Sequence, residues 1–269
     1  MRFAVFGSTG TLGTALRKVL KDAKFHTRKD WDVENLKGIE SFLESFLDGV
    51  DVVINALAYT DVSKAEVERE RAYRINVEFP KILAKFCEKN GIVLIYISTD
   101  YVFDGKVGFY TEDEKPNPIS WYGKTKTIAE EEVLERCANS YVIRTSWVFG
   151  ENGKNFFSQM PLKLLRNEEI YTHDEQIVCP TSALFLAEMI IKILDLPKGI
   201  YHITGKTPLT PLEGTIMVRD ILNSSSPIRT FKPEMGIRPK VSVLLDTKIN
   251  YKKPSFTDEV LRFVKTSLS

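Results

Sequence analysis

The chain has 269 residues, of which 43% are hydrophobic and 27% charged, and its formal net charge is +1. This composition excludes wholesale disorder, and the near-neutral charge gives no electrostatic reason to expect nucleic acid or an anionic membrane as a partner. The longest apolar stretches, near 92–97 and 183–194, are too short or too interrupted by charge to span a bilayer, so we expect no membrane partner.

Short β-rich runs alternate with amphipathic stretches over the first two thirds of the chain. The predicted strands cover 2–6, 51–55, 93–98 and 141–144, and the predicted helices cover 12–21, 39–46, 64–74, 80–89 and 123–136. The strands are almost continuously apolar, which is typical of a parallel sheet covered by helices on both faces. The sequence therefore predicts an α/β fold with a doubly wound parallel sheet of the Rossmann type.

The pattern becomes irregular and rich in proline beyond residue 150. One more strand is predicted at 199–204, and we expect it to return to the main sheet. We therefore predict a dinucleotide-binding domain over 1–150 and a smaller, interleaved substrate-binding region over most of 151–269.

The cysteines and histidines do not form a recognisable cluster. Cys87, Cys137 and Cys179 stand far apart, without a C-x-x-C pair. An odd number of separated cysteines indicates reduced thiols in a cytoplasmic protein rather than disulfides or zinc. The first apolar run is too brief for a secretory signal, which also favours the cytoplasm, and the scattered histidines predict no metal site.

A glycine-rich turn, Gly7-Ser8-Thr9-Gly10-Thr11-Leu12-Gly13, directly follows the first predicted strand and opens the first helix. Glycines permit such a tight turn and a close approach of the backbone to a pyrophosphate, while the helix N-terminus offers free N–H groups. The spacing is G-x-x-G-x-x-G, and its place at the start of a β-α-β pattern predicts a dinucleotide site.

The residues after the second predicted strand bear on the choice of cofactor. Arg28 and Lys29 come first there, where an acidic residue would favour the ribose hydroxyl of NAD. Cations at this position favour the 2′-phosphate of NADP, although the same pair also fits a solvated surface. We expect NADPH as the cofactor, with NADH still possible.

Tyr122 and Lys126 stand four residues apart at the start of a predicted helix, and so share one face of it. An ammonium group beside a phenol lowers the pKa of the phenol appreciably only where water is largely excluded. Upstream, Ser98-Thr99-Asp100 ends a predicted strand, at the edge where open α/β sheets bind ligands. A hydroxyl there can hold a substrate carbonyl while Tyr122 delivers the proton.

The glycine turn, the strand-end hydroxyls and the Tyr/Lys pair together resemble the extended short-chain dehydrogenase/reductases. Among these, the surrounding sequence is similar to the dTDP-4-dehydrorhamnose reductases. The matching blocks extend over nearly the whole chain and include 55–60, 98–105, 144–150 and 238–239.

This resemblance implies a reaction and a set of residues. It implies hydride transfer to C4 of a nucleotide-linked 4-keto-6-deoxy sugar, with Thr99, Tyr122 and Lys126 as the catalytic set. It implies substrate contacts at Thr60, Asp100, Tyr101, Phe103 and Trp147. The expected cofactor contacts, besides Arg28, Tyr122 and Lys126, are Gly7, Thr9, Gly10, Thr11, Leu12, Asp32, Val33, Ala56, Leu57, Ala58, Tyr59 and Asn76.

Several features leave alternatives open. Ser63 stands where these reductases usually have Asp, and Ala15 stands where some bacterial relatives place an acidic residue that holds magnesium. We therefore carry over no metal, and both a monomer and a homodimer remain open. A related sugar-nucleotide epimerase or dehydratase would keep the same Tyr/Lys pair. A regulatory subunit resembling the NADP-binding β subunit of methionine adenosyltransferase is the alternative outside enzymes.

Overall fold

A computed structural model describes residues 1–268 of the chain. The strands, in chain order, are β1 (Phe3–Phe6), β2 (Lys24–Phe25), β3 (Val52–Asn55), β4 (Val93–Thr99), β5 (Ser140–Thr145), β6 (Val148–Phe149), β7 (Ile170–Thr172), β8 (Ile177–Val178), β9 (Thr181–Ser182), β10 (Gly199–His202), β11 (Ile228–Thr230) and β12 (Val241–Ser242). The α-helices are α1 (Thr11–Val19), α2 (Ile39–Phe46), α3 (Val62–Ala65), α4 (Arg69–Tyr73), α5 (Phe79–Lys89), α6 (Trp121–Arg136), α7 (Phe156–Leu165), α8 (Ala183–Lys192), α9 (Pro211–Ile221) and α10 (Phe256–Leu268).

The central sheet has six strands in the order β10-β5-β4-β3-β1-β2. All neighbouring strands in it are parallel, which confirms the predicted doubly wound fold. Strand β2 lies on one side of β1, and the later strands extend from the other side. The crevice at the carboxyl ends of β1 and β3 is therefore the place where a sheet of this kind binds its ligand.

Helices cover both faces of the sheet because neighbouring strand residues point to opposite sides. Phe6 and Tyr96 lie in the apolar layer beneath α2, α5 and α6. Val5 and Ile95 lie in the layer beneath α1 and α8. Burial on both faces explains why the strands read as continuous apolar runs in the sequence.

The chain after residue 150 contributes both to the sheet and to a separate cluster. Helices α7, α9 and α10 pack together through Phe157, Val218 and Val260. In contrast, α8 packs against α1, and β10 pairs with β5 at the sheet edge. The division at residue 150 stays a prediction, since α8 and β10 lie on the main sheet while the rest of this part packs outside it.

The prediction of one continuous helix over 64–74 is wrong. The chain instead forms α3 and α4 with a turn between them, and then a π-helical turn, Arg74–Glu78, that leads into α5. Pro80 has no N–H to donate to the Asn76 carbonyl, so an ordinary helical hydrogen bond cannot form there. The Tyr96 hydroxyl approaches that carbonyl at 3.5 Å instead.

Within residues 1–268, no helix is both long enough and apolar enough to cross a membrane.

Candidate active site

A cleft of about 1230 Å³ opens at the carboxyl edge of the sheet, beside the ends of β1, β3, β4 and β5. It brings together most of the residues that the sequence predicts for cofactor, substrate and catalysis. The predicted residues that line the cleft are Gly7, Thr9, Gly10, Thr11, Leu12, Arg28, Val33, Ala56, Leu57, Ala58, Tyr59, Thr60, Thr99, Asp100, Tyr101, Tyr122, Lys126 and Trp147.

Two glycines of the turn at the cleft have backbone atoms close to them, and the third faces open space. Gly7 has φ +79°, and a Cβ there would lie 2.6 Å from the Ala56 carbonyl carbon. A Cβ on Gly13 would lie 2.2 Å from the Gly7 oxygen, whereas one on Gly10 would meet only that oxygen, at 3.5 Å. Gly10 therefore leaves room for a ligand against the backbone.

The N-terminus of α1 faces this space without a side-chain cap and without an acidic residue in its first turn. The first N–H groups of a helix have no partner within the helix, and they favour an anion. The turn and the helix together fit the pyrophosphate of a dinucleotide.

The end of the cleft beyond β2 carries positive charge. The Arg28 side chain is 69% exposed and lies 3.2 Å from the Glu34 carboxylate. Lys29 borders the same end. The structure does not bring the Asp32 side chain there, because it is exposed and its carboxylate accepts the Glu34 N–H at 3.1 Å. The expected Asp32 contact thus finds no support in the side-chain geometry.

Asn76 is buried behind the cleft and does not line it. Its Oδ1 accepts the Tyr59 N–H at 2.8 Å, and its Nδ2 donates to the Thr125 hydroxyl at 3.0 Å. The side chain therefore ties the loop after β3 to α6, one residue before Lys126. It supports the lysine through the helix rather than by a contact with the lysine itself.

Tyr122 is positioned by the start of α6. The Ser120 hydroxyl caps this helix by accepting the Gly123 N–H at 3.0 Å. A Cβ on Gly123 would lie 2.2 Å from the carbonyl oxygen of Tyr101. The helix therefore packs closely against the chain that follows β4. This close packing brings the Tyr122 hydroxyl near the Thr99 side chain, on the wall of the same cleft.

The surroundings of Tyr122 raise its pKa well above the ordinary tyrosine value. Burial is the main cause, the nearby Asp100 charge adds to it, and the Thr99 hydrogen bond opposes it. The expectation that Lys126 makes Tyr122 acidic is therefore not met by the protein groups alone. A tyrosine that keeps its proton at neutral pH is nevertheless the form that a proton donor requires.

Lys126 is fixed beneath the cleft by two contacts. Its Nζ donates to the Ile97 carbonyl at 2.7 Å and lies 4.0 Å from the centroid of the Tyr96 ring. Burial lowers the pKa of Lys126 to about 7, against the opposing charge of Glu130. Burial of an amine without a close carboxylate partner disfavours its charged form.

Glu130 forms a buried ion pair with Arg144 that holds α6 against β5. The two side chains are 3% and 2% exposed, and their closest atoms are 2.6 Å apart. Glu130 also accepts a hydrogen bond from the Ser98 hydroxyl. Sequence reasoning missed this pair, because nothing in the linear pattern shows that positions 130 and 144 meet.

Asp100 borders the cleft, but its carboxylate is occupied by protein hydroxyls. It accepts hydrogen bonds from Thr99 at 3.0 Å, from Ser146 at 2.7 Å and from Ser242. Burial raises the pKa of Asp100 to about 6 in spite of these bonds. These bonds fix the carboxylate beside Thr99, and the expected contact of Asp100 with the sugar stays a prediction.

Phe103 does not reach the cleft, contrary to the expectation that it faces the substrate. It is 1% exposed and stacks on Tyr110 with a centroid distance of 4.2 Å. Trp147, in contrast, borders the cleft with φ +41°, which is unusual for a residue other than glycine. Its buried indole N–H has no hydrogen-bond partner within residues 1–268.

Sequence reasoning also missed several cleft residues at the end of β5 and in the chain that follows it. Applying the strand-end rule to β5, as it was applied to β4, would have pointed to Thr145. The cleft residues in this part of the chain that were not singled out are Thr145, Val148, Asn152, Lys154 and Asn155.

Comparison with known proteins agrees with this geometry. The family model described as the RmlD substrate binding domain matches residues 1–268. The chain belongs to this family. It is 35% identical to a dTDP-4-dehydrorhamnose reductase of Aggregatibacter actinomycetemcomitans, over 81% of this chain and 78% of that protein. It is 36% identical to the spore coat polysaccharide biosynthesis protein SpsK of Bacillus subtilis, over 75% of this chain and 72% of that protein.

A solved structure shares the whole fold. The dTDP-4-dehydrorhamnose reductase of Bacillus anthracis, solved in complex with NADP, is 29% identical and superposes with a TM-score of 0.90. The superposition covers 99% of each chain. The resemblance seen in the sequence motifs is thus confirmed for the family and for the fold.

Proposed function

We propose that the chain is an NADPH-dependent reductase of a nucleotide-linked 4-keto-6-deoxy sugar, and that it converts dTDP-4-dehydrorhamnose to dTDP-L-rhamnose. The placement of Tyr122 beside Thr99, in a cleft that also contains Lys126 and the glycine turn, carries this proposal. The related reductases of A. actinomycetemcomitans and B. anthracis support the reaction, and the NADP in the latter supports the cofactor.

The bound cofactor supplies a hydride. The glycine turn and the N-terminus of α1 hold its pyrophosphate, and Arg28 and Lys29 lie where a 2′-phosphate needs positive charge. Lys126 holds the nicotinamide ribose from beneath the cleft. The loop after β3, which Asn76 fixes at the Tyr59 N–H, lines the cleft beside the dinucleotide site.

Tyr122 and Thr99 hold the sugar carbonyl between them. Tyr122 donates its proton to the alkoxide oxygen, and the transfer is favourable because an alkoxide is a stronger base than a phenolate. A protonated Lys126, one helical turn away, stabilises the phenolate left behind, because opposite charges attract more strongly where water is excluded. The lysine thus acts after the proton has moved.

The alternatives fit this site less well. A dehydratase needs a further acid or base beside Thr99, and the neighbouring Asp100 carboxylate is already engaged by Ser146 and Ser242. A regulatory subunit has no physical need for a buried tyrosine beside Thr99 and a buried lysine in the same cleft. Both a monomer and a homodimer remain compatible with the proposed reaction.

Replacing the proton donor tests the proposal. Tyr122→Phe should lower kcat by about 10²–10⁴-fold, because the alkoxide loses its acid, while the Kd for NADPH changes little. Rapid-mixing measurements of NADPH oxidation and fluorescence titration of NADPH provide the two readouts. Tyr110→Phe is the matched control, since its hydroxyl binds Asp104 outside the cleft. Wild-type turnover by Tyr122→Phe would refute the assigned role.

A further inference from the structure

Thr145 carries a polar group in the cleft that the protein itself leaves without a partner. The residue is 5% exposed and borders the cleft. Its hydroxyl is buried and makes no hydrogen bond within residues 1–268. Leaving a buried hydroxyl unpaired costs free energy, so such a group in a cleft wall indicates a ligand that completes it.

The sheet register places Thr145 beside the proposed proton-transfer site. Thr145 is the direct partner of Thr99 in the β4–β5 pairing. Adjacent strands lie about 4.8 Å apart, and paired residues at corresponding positions point to the same face. The Thr145 hydroxyl thus lies one strand away from the hydroxyl that contacts Tyr122.

The chain that follows Thr145 leads back to the glycine turn. It passes the strained Trp147 and reaches Gly150, where an added Cβ would lie 3.5 Å from Thr11 Cγ2. Thr11 begins α1, which faces the pyrophosphate position. Of this segment, Thr145, Trp147 and Val148 line the cleft. They lie between the phosphate end and the reacting carbonyl, which is the space that the nicotinamide must occupy.

We propose that the Thr145 hydroxyl binds the carboxamide of the nicotinamide. A carboxamide offers a carbonyl acceptor and an NH₂ donor, and a threonine hydroxyl can pair with either. This contact fixes the rotation of the ring and so selects which face it presents to the carbonyl beside Thr99. The inference rests on the proposed function and adds a cofactor-binding residue to it.

The test compares two ligands in a binding measurement without turnover. Thr145→Val removes the hydroxyl at nearly constant volume, and Thr145→Ser keeps it. We expect Thr145→Val to bind NADPH about fivefold more weakly, the size of one neutral hydrogen bond, while its affinity for 2′-phospho-ADP-ribose, which lacks the nicotinamide, stays unchanged. Thr145→Ser should bind NADPH like the wild type. Calorimetry gives all the Kd values.

Several outcomes would overturn the inference. They are unchanged NADPH binding by Thr145→Val, an equal loss for both ligands, or an effect confined to the KM of the sugar. If wild-type protein binds neither NADPH nor 2′-phospho-ADP-ribose, the proposed function itself fails, and the role of Thr145 fails with it. Binding of both ligands by the wild type keeps these two failures distinguishable.

Discussion

Tyr122 and Lys126 lie one helical turn apart on α6, and their protonation states decide what each contributes to the reaction. The sequence predicts the pair and its shared face from spacing alone. It does not predict the pKa values, since these depend on burial and on groups from other strands. The Ile97 carbonyl and the Tyr96 ring that surround Lys126 both come from β4.

The pH dependence of the reaction should follow the lysine. With its pKa lowered to about 7, Lys126 is charged below that pH and neutral above it. A neutral amine cannot stabilise a phenolate, so kcat/KM for NADPH should fall about tenfold per pH unit above pH 7. Tyr122, with its raised pKa, stays protonated throughout this range.

Steady-state measurements between pH 6 and pH 9 check this expectation. Arg28→Ala is a suitable control, because that side chain is exposed and lies at the far end of the cleft. Its profile should keep the same break even if its KM for NADPH rises. A flat wild-type profile over this range would contradict the role of Lys126.

At the scale of single elements, the glycines of the turn have two different roles. Two of them allow the backbone to pack closely, and one leaves space for a ligand. Gly7 and Gly13 approach backbone atoms so closely that a side chain cannot fit. Gly10 has φ −79°, which any residue adopts, and has open space where its Cβ would stand. The sequence shows three glycines at regular spacing and does not distinguish these roles.

Gly10→Ala should therefore leave the free energy of unfolding within about 0.5 kcal/mol of the wild-type value. It should weaken NADPH binding at least about tenfold, because the methyl group occupies the space of the pyrophosphate. Gly13→Ala is the contrasting variant and should lose about 1–3 kcal/mol of stability through overpacking. Urea unfolding and NADPH titration measure both quantities, and wild-type affinity in Gly10→Ala would refute this assignment.

Predicted and observed elements differ most where local pattern competes with tertiary structure. The strands lie close to their predicted positions because burial on both faces gives continuous apolar runs. Helix α2 does so because its buried residues, Ile39 and Leu43, recur at helical spacing. The region 64–74 has helical periodicity, but Glu68, with φ −91° and ψ 47°, leaves the helical conformation and separates α3 from α4. Phe103 follows a site-like motif, yet its ring packs beneath Tyr110.

At the scale of the whole molecule, distant parts of the chain complete the site. Ser242 reaches the Asp100 carboxylate across 142 positions of sequence. His202 of β10 lies 3.5 Å from the Arg144 guanidinium, which pairs with Glu130 of α6. Such contacts depend on how the C-terminal part packs against the sheet, and no local sequence pattern predicts them. The motif resemblance predicted the chemistry at the strand ends but not the groups that orient it.

Catalytic turnover by the 269-residue chain separates the proposed reductase from a protein that only binds NADPH. Wild-type protein is mixed with NADPH and dTDP-4-dehydrorhamnose (dTDP-4-keto-6-deoxy-L-mannose). The absorbance of NADPH is followed, and the sugar product is identified. The account predicts oxidation of one NADPH per sugar and a product with a hydroxyl at C4. Tight NADPH binding without any oxidation in the presence of this sugar would contradict it.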